Sequence, residues 1–291
     1  MASPPPAAAT DVVKLVQSTV ELPTMPVVLA RLNMTLARES SSAGDVAKVL
    51  QSDPAIAANM LRIVNSAYYG LRVRVSSIPL AVSVLGFATT RRVALRAAVF
   101  TVFAQRREAI AQFDPVGFWK HSVFTGVAAR ALCAVAPPFA DMHPEDAYMA
   151  GLLHDIGKIV LLEKRTLHYL EALRRAGAAG CPDHEAEKAV FGFTHADVGA
   201  VLALKWSLPE ELTAAIRYHH APQRDPVHRP LTSLVHVADR LAWQASLPST
   251  VGTKPAALDE SVHAAIGLAP DVVAAAMPTL LDEFADAELP W

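Results

Sequence analysis

Two-residue alternation of apolar and polar side chains, which a half-buried strand requires, is almost absent from this chain, whereas helix start and stop signals recur along it. That restricts the fold to packed helices. Asp53-Pro54 supplies an N-cap and a first-turn proline, Ala55 to Val64 continues with apolar spacing, and Gly70 can close the segment. Ser207-Leu208-Pro209-Glu210 has the spacing of a capping box opening a helix toward His220, and Thr89 stands where it can cap Thr90 to Ala104. Pro144-Glu145 opens a helix that runs into His154-Asp155, with Gly157 placed to end or bend it. A last helical stretch, interrupted by Pro278, reaches about Asp286. The expected class is all-α, with many short and medium helices.

A length of 291 residues allows one large or two medium domains, and 52% hydrophobic content is ample for a core. Residues 1–11, rich in proline and alanine, read as a disordered tail. One lobe is expected at about 12–110, carrying arginines and no histidine, and a second at about 111–245 that holds the histidines discussed below. Residues 246–291 read as a helical extension. The net charge of -2 gives no global field to attract nucleic acid. A basic face of Arg72, Arg74, Arg91, Arg92 and Arg96 is the one feature favouring such a partner, and solvated arginines account for it, so nucleic acid is not expected. Cys133 and Cys181 form no Cys-x-x-Cys pair, which fits a reducing cytoplasm. The N-terminus lacks the pattern of a signal peptide, and the apolar run Ala97 to Ala104 is too short to cross a bilayer, so no membrane partner is expected.

Chemistry concentrates at Gly151-Leu152-Leu153-His154-Asp155-Ile156-Gly157-Lys158, where an imidazole, a carboxylate and an ammonium interrupt apolar text. Imidazole and carboxylate suit a divalent metal such as Fe, Mn, Zn or Mg, and Lys158 could steady a phosphate as a catalytic group if the chain is an enzyme. His121 lies upstream; His195, His219, His220 and Asp239 lie downstream, all in apolar helical contexts. Each has a plain structural reading as well. His121 alone reads as a core histidine satisfied by a carbonyl, and His219-His220 as cations favoured at a helix C-terminus. Asp239 among apolar neighbours needs a partner, whether Arg240, water or a metal. Together the seven make a candidate metal site. By contrast His143, His168, His184, His228 and His263 sit in polar or loop contexts and read as solvated.

The order His121, His154-Asp155, Asp239 resembles the signature of the HD superfamily of metal-dependent phosphohydrolases, and His195 with His219-His220 resembles the added ligands of its HD-GYP branch. A narrower resemblance is to the HDOD domain, the HD-related output domain of bacterial signalling proteins. It is carried by Leu22-Pro23-Thr24-Met25-Pro26, Ser52-Asp53-Pro54-Ala55, Ile63 to Gly70, Ile78-Pro79-Leu80-Ala81, Phe191 to Gly199 and Trp206-Ser207-Leu208-Pro209, over about residues 20 to 245. The resemblance implies an N-terminal helical lobe packed on an HD-like helical lobe. It also implies a regulatory or scaffold module that meets a signalling protein or a nucleotide second messenger, with metal-dependent phosphohydrolysis as the alternative. After His219-His220 the chain reads Ala221-Pro222-Gln223 in place of a glycine-tyrosine-proline segment, a departure from the HD-GYP pattern, yet the His, His-Asp, Asp quartet is complete. Tyr68-Tyr69 are expected to lock the lobes together through buried rings.

Overall fold

The computed structural model describes residues 6–17, 27–38, 40–66, 69–72, 74–104, 113–250, 252–285 and 287. Among them there is no β-strand, and the all-α class holds. Two compact units are present, one of Pro23–Arg107 and one of Met1–Leu22 with Glu108–Ala287. The larger unit therefore includes the first helix, α1 (Pro6–Gln17), which begins inside the stretch expected as a tail. Val12, Leu15 and Val16 are buried, so an apolar stripe at helical spacing orders it. Residues 246–287, within the stretch expected as a helical extension, belong to this unit as well.

The smaller unit contains α2 (Val27–Leu36), α3 (Ala43–Gln51), α4 (Pro54–Val64) and α5 (Ile78–Ala104). Asp53 caps α4 as its sequence indicates, accepting from the amides of Ala55 and Ile56 at 3.0 and 3.1 Å. Asn65 pins the segment after α4: its Nδ2 donates to the Leu61 and Val75 carbonyls, and its Oδ1 accepts from the Val75 amide. Thr89 does not open a helix; the interruption in α5 falls at Gly86, with φ 70° and ψ 171°, a conformation glycine adopts without a Cβ penalty. Ile78–Ala98 is by length and composition apolar enough to span a membrane, with mean hydropathy 1.3, although the Gly86 break, Arg91, Arg92 and Arg96 all fall inside it. Leu22 to Pro26 and Tyr68 lie outside the described residues.

The larger unit continues with α6 (Pro115–Val135), α7 (Pro144–Leu153), α8 (Ile156–Lys164), α9 (Thr166–Ala179) and α10 (Asp183–Phe191). Next come α11 (His195–Lys205), α12 (Glu210–Tyr218) and α13 (Arg229–Gln244), then the short α14 (Ser261–Ile266), α15 (Pro270–Ala275) and α16 (Met277–Ala285). Ser207 forms no capping box. It adopts φ 51° just past α11, and α12 starts after Pro209 with no side-chain cap. Pro278 is the second residue of α16, where a proline starts a helix rather than interrupting it.

Trp119, Phe124, Tyr148, Leu234 and Val235 are buried where α6, α7 and α13 meet, and large side chains of this kind stabilise by about 1.5–3 kcal/mol each when fully buried. Two crossings in this unit depend on glycine. A Cβ on Gly151 of α7 would lie 2.6 Å from the Thr125 carbonyl oxygen of α6. One on Gly157 of α8 would collide with the His195 carbonyl oxygen and come within 2.7 Å of the Gly199 amide in α11. Gly157 thus neither ends nor bends its helix; it lets α8 and α11 touch backbone to backbone.

Candidate metal centre

The glycine crossings bring four helix ends and two helix interiors to one point. His154 caps the C-terminus of α7 and Asp155 the N-terminus of α8, so the pair occupies the elbow between two helices. Both side chains can then face the same way, with His154 Nε2 3.4 Å from Asp155 Oδ2. From α6, His121 places Nε2 3.3 Å from His154 Nε2, 3.2 Å from Asp239 Oδ1 and 3.9 Å from Asp155 Oδ2. His195, the first residue of α11, brings Nε2 to 3.0 Å from Asp155 Oδ1. His219, the C-cap of α12, brings its Nε2 to 3.6 Å from that same oxygen. His220 Nε2 lies 2.9 Å from His195 Nε2. All seven sequence candidates meet here, in a group of three (His121, His154, Asp239) and a group of four (Asp155, His195, His219, His220).

The outer edges of the rings fix what the inner edges can do. His121 Nδ1 donates to the Leu247 carbonyl at 2.7 Å, His154 Nδ1 to Gly151 at 2.6 Å and His219 Nδ1 to Ile216 at 2.8 Å. Carbonyls only accept, so in each ring Nδ1 carries a proton and Nε2 is the edge turned inward. His195 Nδ1 meets the buried Glu187 carboxylate at 2.7 Å, which likewise leaves Nε2 as the inward edge. The cluster thus packs imidazole nitrogens against one another and against carboxylates in a dry interior. Asp155 Oδ1 and His219 Nε2 are buried without a well-formed hydrogen bond, their nearest polar neighbours being His195 Nε2 at 3.0 Å from the carboxylate oxygen and that same oxygen at 3.6 Å from His219. Buried polar atoms in this state are costly unless a cation supplies the missing contact.

Titration behaviour reflects the same demand for positive charge. Burial works against it, yet His195 is pushed up to about 10, with the Glu187 and Asp155 carboxylates responsible. His154 also rises despite burial, through Asp155 and Asp239. Asp155 is held well below the usual carboxylate range: burial opposes this, and Lys158, His154 and His195 outweigh it. His219 goes the other way, lowered by burial to about 4. It is neutral, so a charge–dipole contact at the end of α12 does not explain its place.

Lys158 departs from its expected role. It is 2% exposed, with Nζ 2.8 Å from Asp155 Oδ2, 2.7 Å from Asp183 Oδ2 and 2.7 Å from Ser249 Oγ. All three ammonium donors are committed, leaving none to steady a phosphate. It braces the Asp155 carboxylate instead.

Asp183, Glu187 and His236 complete the surroundings, and the sequence did not single them out. Glu187 also accepts from the His195 amide at 2.7 Å, and His236 Nδ1 donates to the His219 carbonyl at 2.7 Å. The loop after α13 closes the far side: Leu247 holds His121, Ser249 holds Lys158, and Thr250 donates to Asp183 at 3.1 Å. His184 is not solvated as expected; its ring stacks on His220 with centroids 4.0 Å apart. His143 caps α7, accepting from the Glu145 amide.

Comparison with known proteins places this arrangement. The chain superposes on an HDOD domain protein with unknown function from Geobacter sulfurreducens with a TM-score of 0.73 at 23% identity, covering 94% of this chain and 96% of that one. A protein from Marinobacter aquaeolei VT8, provisionally named for signal transduction, gives 0.73 at 24% identity, with 96% and 64% covered. These likenesses establish the fold. An uncharacterized protein of Treponema pallidum is 26% identical over 220 residues, 75% of this chain and 42% of its own length. Ribonuclease Y of Desulfotalea psychrophila is 31% identical over 145 residues, 50% of this chain and 20% of its own length. The chain thus spans less than half the length of either relative. The HDOD domain model matches residues 22–222, stopping short of Asp239 and the closing loop. With more than half its length matched, and with helices alone bringing the His-Asp cluster together, this chain belongs to the HDOD domain family.

Proposed function

We propose that this chain is a regulatory HDOD module whose buried cluster holds a divalent metal that fixes the fold of its larger unit. The observation that carries this reading is the set of inward Nε2 atoms, from His121, His154, His195 and His219, facing Asp155 and Asp239 with their Nδ1 edges already bonded. Mixed imidazole and carboxylate donors fit iron, manganese or zinc. When bound, such an ion would act as a Lewis acid and lower the pKa of any water it holds. The donors are between 0% and 7% exposed, and Lys158 is locked away from any phosphate. Catalytic metal sites keep an open position for substrate, whereas these donors are sealed on every described side, which favours a structural or signal-reading ion. A protein partner or a nucleotide second messenger is the proposed recipient of that signal.

A second reading is metal-dependent phosphodiester hydrolysis. The complete His121, His154-Asp155, Asp239 quartet favours it, as do the ribonuclease Y likeness and a fold neighbour from Shewanella amazonensis provisionally named as a metal-dependent phosphohydrolase, at 17% identity and a TM-score of 0.63. The two are separated by elemental analysis of protein purified without added metal, run beside turnover of a cyclic dinucleotide and of RNA. Retained metal with no turnover supports the module. Metal-dependent turnover lost in Asp155→Ala overturns it in favour of the hydrolase, and a metal-free protein that binds none on titration overturns both.

A further inference from the structure

The row of imidazoles does not end at the buried cluster. His220 Nε2 faces His195 at 2.9 Å, while the opposite side of its ring stacks on His184, the planes inclined by 17°. Both rings are half-buried, unlike the sealed donors behind them. Their Nδ1 atoms are buried, and neither has a hydrogen-bond partner. The stacked pair thus leaves two buried ring nitrogens idle. Beside them stands the Asp183 carboxylate. Its Oδ2 takes Lys158 and Thr250, while its Oδ1 accepts only from the His184 amide, leaving a lone pair to spare.

One ligand atom from each of Asp183, His184 and His220 lies within 4.8 Å of the other two. Zinc-like ions hold imidazole nitrogen and carboxylate oxygen at about 2.0–2.2 Å, so donors on one ion stand no more than about 4.4 Å apart, and a small ring rotation closes the difference. We propose that Asp183, His184 and His220 form an outer cation site for a borderline divalent ion such as Zn²⁺ or Co²⁺, next to the sealed cluster and exchanging with solvent. The site shares His220 with the inner donors and so rests in part on the metal reading of that cluster. His184 belongs to the outer site alone, which makes the two separable.

The test is a Co²⁺ titration of the full chain followed by its visible absorption, with Zn²⁺ counted by elemental analysis after gel filtration, in wild type, His184→Ala, His184→Gln and His154→Ala. The wild type is expected to release one equivalent to a chelator at least about tenfold faster than the rest. Both His184 variants are expected to lose that fast equivalent, or to bind it at least about tenfold more weakly, and keep the slow ones. His154→Ala is expected to do the reverse. If both folded His184 variants match the wild type in number, affinity and release rate, the outer site is refuted whatever the inner cluster does. If His184→Ala loses an equivalent and His154→Ala loses none, the outer site stands and the inner reading fails.

Discussion

Replacing Lys158 by methionine keeps the apolar stem and removes only the charge, which isolates what the ammonium does. In the folded chain that charge sits 2.8 Å from Asp155 and 2.7 Å from Asp183 with 2% exposure, so its loss leaves two buried carboxylates facing each other. Removing one member of a buried ion pair costs about 3–5 kcal/mol, most of it from the charge left behind. Against a total stability of about 5–15 kcal/mol that is a large fraction, and in a unit of this size it lowers Tm by roughly 10 °C. Urea denaturation of metal-stripped protein, followed by far-UV circular dichroism, measures it. Adding Asp183→Asn to Lys158→Met removes one stranded carboxylate and is expected to recover at least about 1 kcal/mol, within the coupling found between contacting residues. A single variant within about 0.5 kcal/mol of wild type would refute the brace, because surface lysines behave that way. So would a double variant whose losses simply add.

Two further outcomes follow from geometry and charge. Gly157→Ala gains about 1 kcal/mol of helix propensity but drives a methyl group into the α11 backbone, where overpacking costs about 1–3 kcal/mol or more; a net loss in denaturant midpoint is expected, whereas Gly44→Ala, whose Cβ meets only Ser42 Oγ at 3.6 Å, is expected to stabilise. Equal gains at both positions would contradict the close crossing. For chelator-treated protein, Tm is expected to peak near pH 6.5. His184 and His219, held at about 4 by burial, favour unfolding as pH falls below their unfolded value of about 6.5, while the contribution of His195, pushed up to about 10 by carboxylates that overcome its burial, is full below that value and lost as pH rises toward 10. A Tm that stays level from about pH 5 to 9 would contradict these assignments.

The helical class and the convergence of the seven residues were legible because a titratable group in apolar text has few other reasons to be there. Asp183 and Glu187 were not, since Asp-His-Glu-Ala-Glu-Lys reads as a solvated helix face; the remaining signal was their i, i+4 spacing around buried Ala186, which puts both carboxylates on one side. His184 was hidden by the same polar text. Lys158 was misread because sequence shows that a charge is present but not which neighbours it has, and one of those, Ser249, lies 91 positions away. Ser207 and Thr89 were misplaced as caps because the backbone turns to positive φ at Ser207 itself and at Gly86, and a serine or a mid-helix glycine in the text does not announce such a turn.

Leu247 reaches back 126 positions to hold His121, and the residues that make the cluster run from α6 to the loop beyond α13. No segment of the chain can assemble it alone, so the cluster forms only when most of the larger unit has closed on itself. Anything bound there is then coupled to global rather than local unfolding. At one hundred times its dissociation constant a ligand adds about 2.7 kcal/mol to such a fold. Occupancy would therefore register throughout the unit, in the amide exchange rates of helices that touch no donor, and a cell depleted of the ion would lose the protein to proteolysis before it lost any particular contact.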